Sequence, residues 1–282
     1  MTVAPDPRSA RPGTDTEFAP RELGLPYPSF PGLLPPGTLT GGRYAVRFAQ
    51  TVEDLDQIER LRFEVFNLEL GEGLDSAFAT GRDHDDLDPY FHHLLIASGA
   101  TGEIVGTYRL QTGEMAAAHQ GFYSAGEFDL GNLPGDFLAD AVEVGRACVA
   151  KDHRNGRVLN LLWRGLALYM LHNRKRYLFG CCSLTSQEPA LGEATQACLE
   201  KAGHVHPTLL APPLPGFACV GAEAASLAAQ RVHIPPLFQS YLALGAKVCG
   251  PPAIDRQFKT IDFLVTLDVA ALDEHSYRFF FR

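Results

Sequence analysis

The chain has 282 residues, of which 46% are hydrophobic, 20% charged and 10% aromatic, enough to bury the core of one large domain or two small ones. This composition excludes collagen-like, coiled-coil and wholly disordered chains. With 24 Lys and Arg against 33 Asp and Glu, the formal net charge is −9. An acidic balance argues against general affinity for nucleic acid or an anionic membrane, because both attract basic surfaces.

The six cysteines show no CxxC pair and no histidine at zinc-finger spacing. We therefore expect reduced, mostly buried thiols, with neither a metal site nor a disulfide framework. The N-terminus lacks a signal-peptide pattern, and no apolar run approaches the roughly 18 residues of a membrane span. These features predict a cytoplasmic protein.

Residues 1–42 hold nine of the 20 prolines and six of the 27 glycines. Such a segment resists regular structure, so we predict a Pro/Gly-rich N-terminal arm over 1–42 and one domain over 43–282. The arm also carries Phe18, Tyr27, Phe30 and Leu34, more apolar side chains than a solvated tail needs. Parts of it are therefore expected to dock on the domain.

From residue 44 onward the hydrophobic pattern predicts alternating strands and helices. In chain order these are a strand at 44–48, a helix from an N-cap at Thr51 to about Leu68, strands at 92–97 and 103–110 joined by a turn, a strand at 141–150, a helix at 158–171, a strand at 177–184, a helix at 189–202, a helix near 237–244 and a strand near 261–267. This order predicts a mixed α/β domain with a partly antiparallel sheet.

A strand, a loop and a buried helix follow one another over residues 143–158. Arg154, Gly156 and Arg157 stand at the start of that helix. Backbone N–H groups, the positive helix end and two fixed cations together suit a phosphate or pyrophosphate. An ordinary surface loop is an equally weighted alternative.

The basic residues are concentrated around this passage. Residues 144–180 contain eight Lys and Arg and one acid, a local charge of +7 in an acidic chain. A basic face implies an anionic partner, either a phosphate-bearing co-substrate or an acidic carrier protein. For residues 174–176 the alternative is that they simply stabilise the negative end of a helix.

Glu143 lies in an otherwise apolar strand, three residues before Arg146. A carboxylate there is either solvated or a functional group held by a partner. Regular alternation would place Glu143 and Arg146 on opposite faces of the sheet, so a β-bulge is needed to bring them together.

An acidic loop over residues 83–88 follows the helix that carries Arg62 and Phe66. Its Asp85-x-x-Asp88 spacing does not match a calcium loop. The acids are expected either to be solvated, to position a cationic amine, or to pair with Arg62 and Arg109. Elsewhere, adjacent Cys181 and Cys182 lack a Cys/His context, and no serine stands in a GxSxG elbow, so a covalent nucleophile is not indicated.

Together these motifs resemble the GNAT-type N-acyltransferases that form ornithine lipids with fatty acyl groups from acyl carrier protein. The resemblance spans roughly residues 44–268, and it is carried by 61–66, 69–71, 105–110, 122–124, 127–130, 143–149, 162–165, 179–181 and 241–246. A more distant likeness is to acyl-homoserine-lactone synthases, which share residues corresponding to Arg62, Phe66, Asp85, Asp88, Arg109, Glu143 and Arg146. This chain departs from those synthases in having Glu72 where they usually place a tryptophan.

The resemblance implies a GNAT-like fold: a central mixed sheet flanked by helices, here with a C-terminal extension, in which a splayed sheet holds the pantetheine arm. It implies transfer of a (3-hydroxy)fatty acyl group from acyl carrier protein to the α-amine of an amino acid, above all ornithine. No tightly bound cofactor is implied, and acyl-phosphopantetheine, on acyl carrier protein or coenzyme A, would be the co-substrate. A lipid product would place the enzyme at most peripherally on the inner membrane face.

By the same resemblance, Glu143 would act as general base, and backbone N–H groups between Arg146 and Cys148 would stabilise the oxyanion. The phosphate of the pantetheine arm would bind at Arg154, Gly156 and Arg157.

Acceptor binding would fall to a second set of residues. Arg62 or Arg109 would hold the acceptor carboxylate, Asp85 and Asp88 a second amine, and Phe66 would contact substrate. Two alternatives remain at this point, an acyl-homoserine-lactone synthase and a non-catalytic lipid-binding protein.

Overall fold

A nine-stranded mixed sheet organises the computed structural model, which describes residues 26–219 and 231–281. The strands are β1 (Leu39–Gly41), β2 (Tyr44–Phe48), β3 (His92–Ser98), β4 (Ile104–Thr112), β5 (Ala141–Val149), β6 (Tyr177–Leu184), β7 (Lys247–Val248), β8 (Ala253–Asp255) and β9 (Thr260–Asp268). They lie in the order β1-β2-β3-β4-β5-β6-β9-β7, with β8 also paired to β9. The β5–β6 pair is parallel, and the other pairs are antiparallel.

Helices cover both faces of this sheet. They are α1 (Val52–Arg62), α2 (Ala77–Thr80), α3 (Gly113–Ala118), α4 (Gly135–Ala139), α5 (Gly156–Asn173), α6 (Pro189–Lys201), α7 (Pro236–Ala243) and α8 (Glu274–Phe281). On one face, Leu162 and Tyr169 of α5 pack in a core with Leu94 and Leu110. On the other, Ile58 of α1 packs in a core with Leu95 and Cys148.

The predicted elements are present with small shifts in their ends. Thr51 caps α1 as expected, because its Oγ1 accepts a hydrogen bond from Asp54 N at 3.2 Å. The helix that was expected to continue to about Leu68 changes after Arg62 into a π-helical stretch, Phe63–Leu70. The mixed α/β class with a partly antiparallel sheet is confirmed.

A β-bulge interrupts β5 where it pairs with β4. Thr107 is opposite Cys148 and Arg109 is opposite Gly145, so two residues of β5, Arg146 and Ala147, face one of β4. Arg146 has a φ of 50°, a left-handed conformation that a non-glycine residue rarely adopts. This is the bulge that the sequence required between Glu143 and Arg146.

Strands β5 and β6 pair only briefly before they separate. Residues 141–143 lie opposite 177–179, after which β6 continues along β9 as far as Leu184. A Cβ atom at Gly180 would collide with the carbonyl oxygen of Val144, so only glycine fits where the strands part. The sheet is therefore splayed between β5 and β6.

The described end of the N-terminal segment, 26–42, packs on the domain. Leu34 is buried in the core against α5, and β1 adds a strand to the sheet beside β2. The backbone oxygens of Ser29 and Leu33 accept hydrogen bonds from the side chains of His92 and Asn173, at 2.7 and 2.9 Å. Docking of this segment is thus seen for its described part, while residues 1–25 lie outside the described ranges.

The six cysteines are all within the described ranges and none forms a disulfide. Cys148, Cys219 and Cys249 are buried, Cys181 and Cys182 are half-buried, and Cys198 is exposed. None of the helices in the described part of the chain combines the length and the apolar character needed to cross a bilayer.

Candidate active site

A cavity of about 350 Å³ lies where β5 and β6 separate. Its larger part is apolar and runs between these strands and helices α5 and α7, with Trp163, Leu166, Leu178, Leu237, Phe238 and Val265 in its lining. Its polar part is lined by Glu72, Arg109, Ser124, Glu143, Arg146 and Asp262. An apolar pocket with a few converging polar groups is the usual form of a small-molecule site.

Glu143 is buried at the polar part and is held by a turn that begins at Tyr123. Its Oε2 accepts a hydrogen bond from Tyr123 N at 2.7 Å. Its Oε1 accepts from Ser124 N at 2.7 Å and also from the Ser124 hydroxyl. Burial raises the pKa of Glu143, while these hydrogen bonds and the Arg109 charge act to lower it. The carboxylate is fixed in position, with lone-pair capacity left on Oε2.

The bulge places Arg146 on the same side of the sheet as Tyr123 and Glu143. The Arg146 guanidinium lies 5.6 Å from the Tyr123 ring centroid and 4.1 Å from that of Phe258. Its Nη2 donates to Asp85 Oδ2 at 3.2 Å. Both members of the Glu-x-x-Arg motif therefore reach the polar part of the cavity.

The acidic loop and three arginines form a buried ion-pair network. Arg62 contacts Asp83 and Asp88, Arg109 contacts Asp85 and Asp88, and Arg146 contacts Asp83 and Asp85, at distances between 2.7 and 3.5 Å. Formally the three cations balance the three carboxylates. The pKa of Asp88 lies well below its ordinary value although burial opposes this, because Arg62 and Arg109 stabilise its charge.

This network changes the expected acceptor contacts. Arg62, Asp85 and Asp88 do not line the cavity, and the Arg62 and Asp88 side chains have no exposed surface. Asp88 is fully buried between Arg62 and Arg109, whereas the Asp85 side chain, paired with Arg109 and Arg146, remains 18% exposed. The structure therefore places these three residues beside the cavity, where Asp85 and Asp88 contact the arginines that line it.

Arg109 and Arg146, in contrast, line the cavity and retain donors. The buried atoms Arg109 Nε and Arg146 Nη1 have no hydrogen-bond partner within residues 26–219 and 231–281. Phe66 also lines the cavity and packs edge-to-face on Phe258, with ring centroids 5.4 Å apart. Of the five residues expected to bind substrate, Phe66 and Arg109 therefore line the cavity. Arg146, which was expected in the catalytic group, lines it as well.

Arg154, Gly156 and Arg157 lie beyond the carboxyl end of β5 and do not line the cavity. Arg154 makes a bidentate pair with Glu69, at 2.6 and 2.7 Å. Gly156 begins α5, whose N-cap Asn155 accepts hydrogen bonds from the backbone N–H groups of Arg157 and Val158, both at 3.1 Å. The exposed loop is close in sequence to Ala147, which does line the cavity.

Six of the eight basic residues between 144 and 180 lie at the two ends of α5; the other two are Arg146 in β5 and Arg164 within α5. Lys151, Arg154 and Arg157 are exposed at its start. At its other end, about 27 Å away for 18 residues, Lys175 pairs with Glu114 and Arg176 with Asp268, at 2.6 and 2.7 Å. Lys175 and Arg176 therefore pair with side chains outside the helix, whereas the alternative interpretation had residues 174–176 stabilise the negative end of α5.

Sequence reasoning assigned no role to several residues at the polar part. Tyr123 and Ser124 hold Glu143, and the Tyr123 ring lies beside both Arg109 and Arg146. Glu127 and Asp262 are buried near each other with the thiol of Cys181. The one sequence signal for the first three was their place in the family motifs at 122–124 and 127–130. Asp262 had none, because it lies far along the chain in the last strand.

Comparison with known proteins gives the family. Residues 61–164 match the acetyltransferase (GNAT) domain model. The chain is 33% identical over 246 residues to an L-ornithine N(alpha)-acyltransferase of Agrobacterium fabrum, covering 82% of this chain and 83% of the relative. A Rhodobacter capsulatus protein of the same name is 32% identical over 248 residues, covering 85% and 95%. The chain belongs to the L-ornithine N(alpha)-acyltransferase family. It is thus an acyltransferase with the expected GNAT fold.

Solved structures are more distant from this acyltransferase. The N-acyl amino acid synthase FeeM, from uncultured soil microbes, aligns with a TM-score of 0.45 at 13% identity, covering 81% of this chain and 92% of that chain. The acyl-homoserine-lactone synthase LasI aligns with a TM-score of 0.43 at 13% identity, covering 82% and 91%. Similarity at this level does not distinguish one acceptor from another.

Proposed function

We propose that this acyltransferase moves a (3-hydroxy)fatty acyl group from acyl carrier protein to the α-amine of ornithine, giving a lyso-lipid. The observation that carries the proposal is the fixed position of Glu143, which lies where the apolar part of the cavity meets its polar part. The apolar part suits a fatty acyl chain, and the shared name of the relatives supplies the acceptor.

Glu143 is the proposed general base. An amine attacks a thioester only when neutral, so a proton must leave it, and Glu143 Oε2 can accept that proton directly or through a water. The hydrogen bonds from Tyr123 and Ser124 support the charged carboxylate against its burial. The new N–C bond then forms as the C–S bond breaks, and the thiolate leaves with the carrier.

The bulge is the proposed oxyanion site. The extra residue of a bulge leaves the regular ladder of the sheet, so its backbone N–H is free to face a ligand. Backbone N–H groups between Arg146 and Cys148 would donate to the oxyanion of the tetrahedral intermediate. The strained φ of Arg146 is the conformational mark of that arrangement.

Direct transfer is proposed without an acyl-enzyme. Cys181 and Cys182 line the cavity, but burial raises the pKa of both thiols, which keeps them protonated and poorly nucleophilic. The acceptor carboxylate would bind Arg109 Nε and Arg146 Nη1, which make no hydrogen bond within the described residues, although Nη1 lies 3.5 Å from Asp83 Oδ1.

The donor is proposed to enter from the start of α5. Lys151, Arg154 and Arg157 form an exposed basic group at the carboxyl end of β5, next to the splayed sheet. Such a group suits the phosphate of a pantetheine arm and the acidic surface of a carrier protein. Because the product would be a lipid with one fatty chain, we expect the enzyme to associate with the inner membrane face at most peripherally.

Mass spectrometry of lipids from a host that expresses the protein tests the proposal, with Glu143→Gln as the catalytic variant and Glu114→Gln, an exposed carboxylate, as the control. We expect a singly acylated ornithine with the wild type and the control, and at least about 100-fold less with Glu143→Gln. An acyl-homoserine lactone in the medium instead would identify a signal synthase. Donor binding with neither product would identify a lipid-binding protein.

A further inference from the structure

Glu127 and Asp262 form a buried acidic pair beside the polar part of the cavity. Ligand atoms of both carboxylates and of the Cys181 thiol lie within 4.8 Å of one another. The two residues are only 4% and 3% exposed. Glu127 directly follows the turn Tyr123–Gly126 in the loop before β5, while Asp262 and Cys181 come from the neighbouring strands β9 and β6.

Apart from the proton that the two carboxyl groups share, one oxygen of each lacks a hydrogen-bond donor. Glu127 Oε2 and Asp262 Oδ1 have no hydrogen-bond partner in the described ranges. The second oxygen of Asp262 accepts from the Thr260 hydroxyl at 3.2 Å. Buried acceptors without a donor are costly, so their retention points to a ligand that donates to them.

The pair also lies beside the cavity that Arg109 and Arg146 line. Asp262 and Cys181 line the main cavity, together with Arg109 and Arg146. Tyr123 is next to both the arginines and the acidic pair. Its ring contacts both guanidinium groups, and it lines the adjoining smaller cavity together with Glu127. The polar lining of the cavity thus combines the Arg109 and Arg146 cations with the Glu143 and Asp262 carboxyl groups, and Glu127 lines the adjoining smaller cavity.

We propose that Glu127 and Asp262 bind the side-chain ammonium of a diamino-acid acceptor, a subsite that rests on the acyl transfer proposed above. An acceptor would then be held at three points: its carboxylate by Arg109 and Arg146, its α-amine by Glu143, and its second amine by the acidic pair. The three N–H donors of an ammonium suit two carboxylate oxygens better than any neutral side chain does.

The chemistry of the pair favours an ammonium over a metal ion. Burial and the neighbouring carboxylates raise the pKa of Glu127 to about 10, so the empty pair keeps a shared proton at neutral pH. Burial also keeps the Cys181 thiol protonated, and thiol is a poor metal ligand compared with thiolate. The pair therefore presents one net negative charge, which balances the single positive charge of an ammonium without a third anionic ligand.

Acceptor competition tests the subsite. The full-length protein is assayed with a long-chain acyl carrier protein thioester and either ornithine or 2-aminopentanoate, which has the same carbon chain without the second amine. We expect the wild type to favour ornithine in kcat/KM by at least about 50-fold, and Asp262→Asn and Glu127→Gln to reduce that ratio below about 5. The control is Glu114→Gln, an exposed carboxylate that pairs with Lys175 and does not line the cavity; its ratio should change less than about 3-fold.

Each other outcome overturns the assignment. Equal use of both acceptors by the wild type removes the subsite but leaves acyl transfer intact, and a parallel fall for both acceptors in the variants assigns the pair to folding or chemistry. An ornithine preference that disappears on chelation and returns with a divalent cation makes the pair a metal site. If no amine is acylated, the proposed function itself fails, and calorimetry then decides the subsite separately: ornithine bound no more tightly than 2-aminopentanoate overturns it.

Discussion

Arg62 donates through Nη1 and Nη2 to the two carboxylate oxygens of Asp88, at 2.8 and 3.1 Å, and neither side chain has any exposed surface. The same aspartate also accepts from Arg109 Nη1 at 2.9 Å. Two cations thus converge on one carboxylate. Asp88 therefore positions Arg109, which lines the cavity, although Asp88 itself does not line it.

Removing the Asp88 charge should destabilise the fold strongly. Asp88→Asn keeps the shape of the side chain but leaves Arg62 buried beside a neutral amide, and breaking a buried pair costs about 3–5 kcal/mol. The free energy of unfolding in urea measures the loss. The control is Glu274→Gln in the exposed Glu274–Arg278 pair, which should cost no more than about 0.5 kcal/mol. Equal losses for the two variants would show that the buried network does not stabilise the protein.

Stability should fall as the pH is lowered from 7 towards 4. Burial lowers the pKa of His92 and of His93 to about 4, against an ordinary 6.5. Between these values the unfolded chain binds protons that the folded chain does not, so folding loses up to about 1.4 kcal/mol per pH unit for each histidine. Urea unfolding at several pH values measures the slope.

His92 offers the cleaner variant for that measurement. Its partners are uncharged, the Tyr169 hydroxyl and the Ser29 carbonyl, both at 2.7 Å. We expect His92→Gln to show a shallower fall in stability between pH 6.5 and 4 than the wild type. An unchanged slope would mean that His92 titrates alike in the folded and unfolded states.

Ser124 should set the acid limb of the activity profile. Its hydroxyl and backbone N–H both donate to Glu143 and so lower the pKa of that carboxyl. Ser124→Ala removes the hydroxyl donor, so the pKa of Glu143 rises and the base is protonated at a higher pH. The profile of kcat/KM against pH should therefore move its acid limb upward, while Ser186→Ala, a loop serine away from the cavity, leaves it in place. A lower plateau with an unmoved limb would contradict Glu143 as the titrating base.

The two ends of α5 should respond differently to charge reversal. Arg157→Glu places an acid where the carrier is proposed to dock, and we expect KM for the acyl carrier protein thioester to rise by about 10-fold with little change in kcat. Arg174→Glu makes the same change at the far end of the helix and should leave KM unaltered. Kinetics at two salt concentrations check the assignment, since added salt should narrow the difference. Equal effects of the two variants would remove the start of α5 as the docking site.

Local patterns predicted most of the fold because they act over short stretches of chain. The apolar periodicity of α1, the apolar run of α5 and the β-rich runs of β3 and β4 were sufficient for these elements. The short strands β1, β7 and β8 were missed because two or three residues carry no periodicity, and pairing with β2 or β9 alone defines them.

The site was predicted less completely for a different reason. Glu143, Arg109 and Arg146 were found through motifs within single strands. The pairing of Asp85 and Asp88 with three arginines depends on how a loop returns to the sheet, and was only one of several alternatives. The Glu127–Asp262 pair joins two distant parts of the chain, so no local pattern could bring its members together.

The bulge in β5 shifts the alternation of side chains between the two faces of the sheet by one residue. Before it, odd-numbered residues such as Glu143 and Gly145 share the face of Gln111 and Arg109; after it, Cys148 takes that face. Deleting Ala147 would restore strict alternation between β5 and β4 and leave Cys148 opposite Thr107, on the face of the α1 core in which it is buried. Arg146 would then lie opposite Tyr108, on the face of the sheet away from Glu143. A single-codon deletion there would thus preserve the packing of the strand while removing Arg146 from the site.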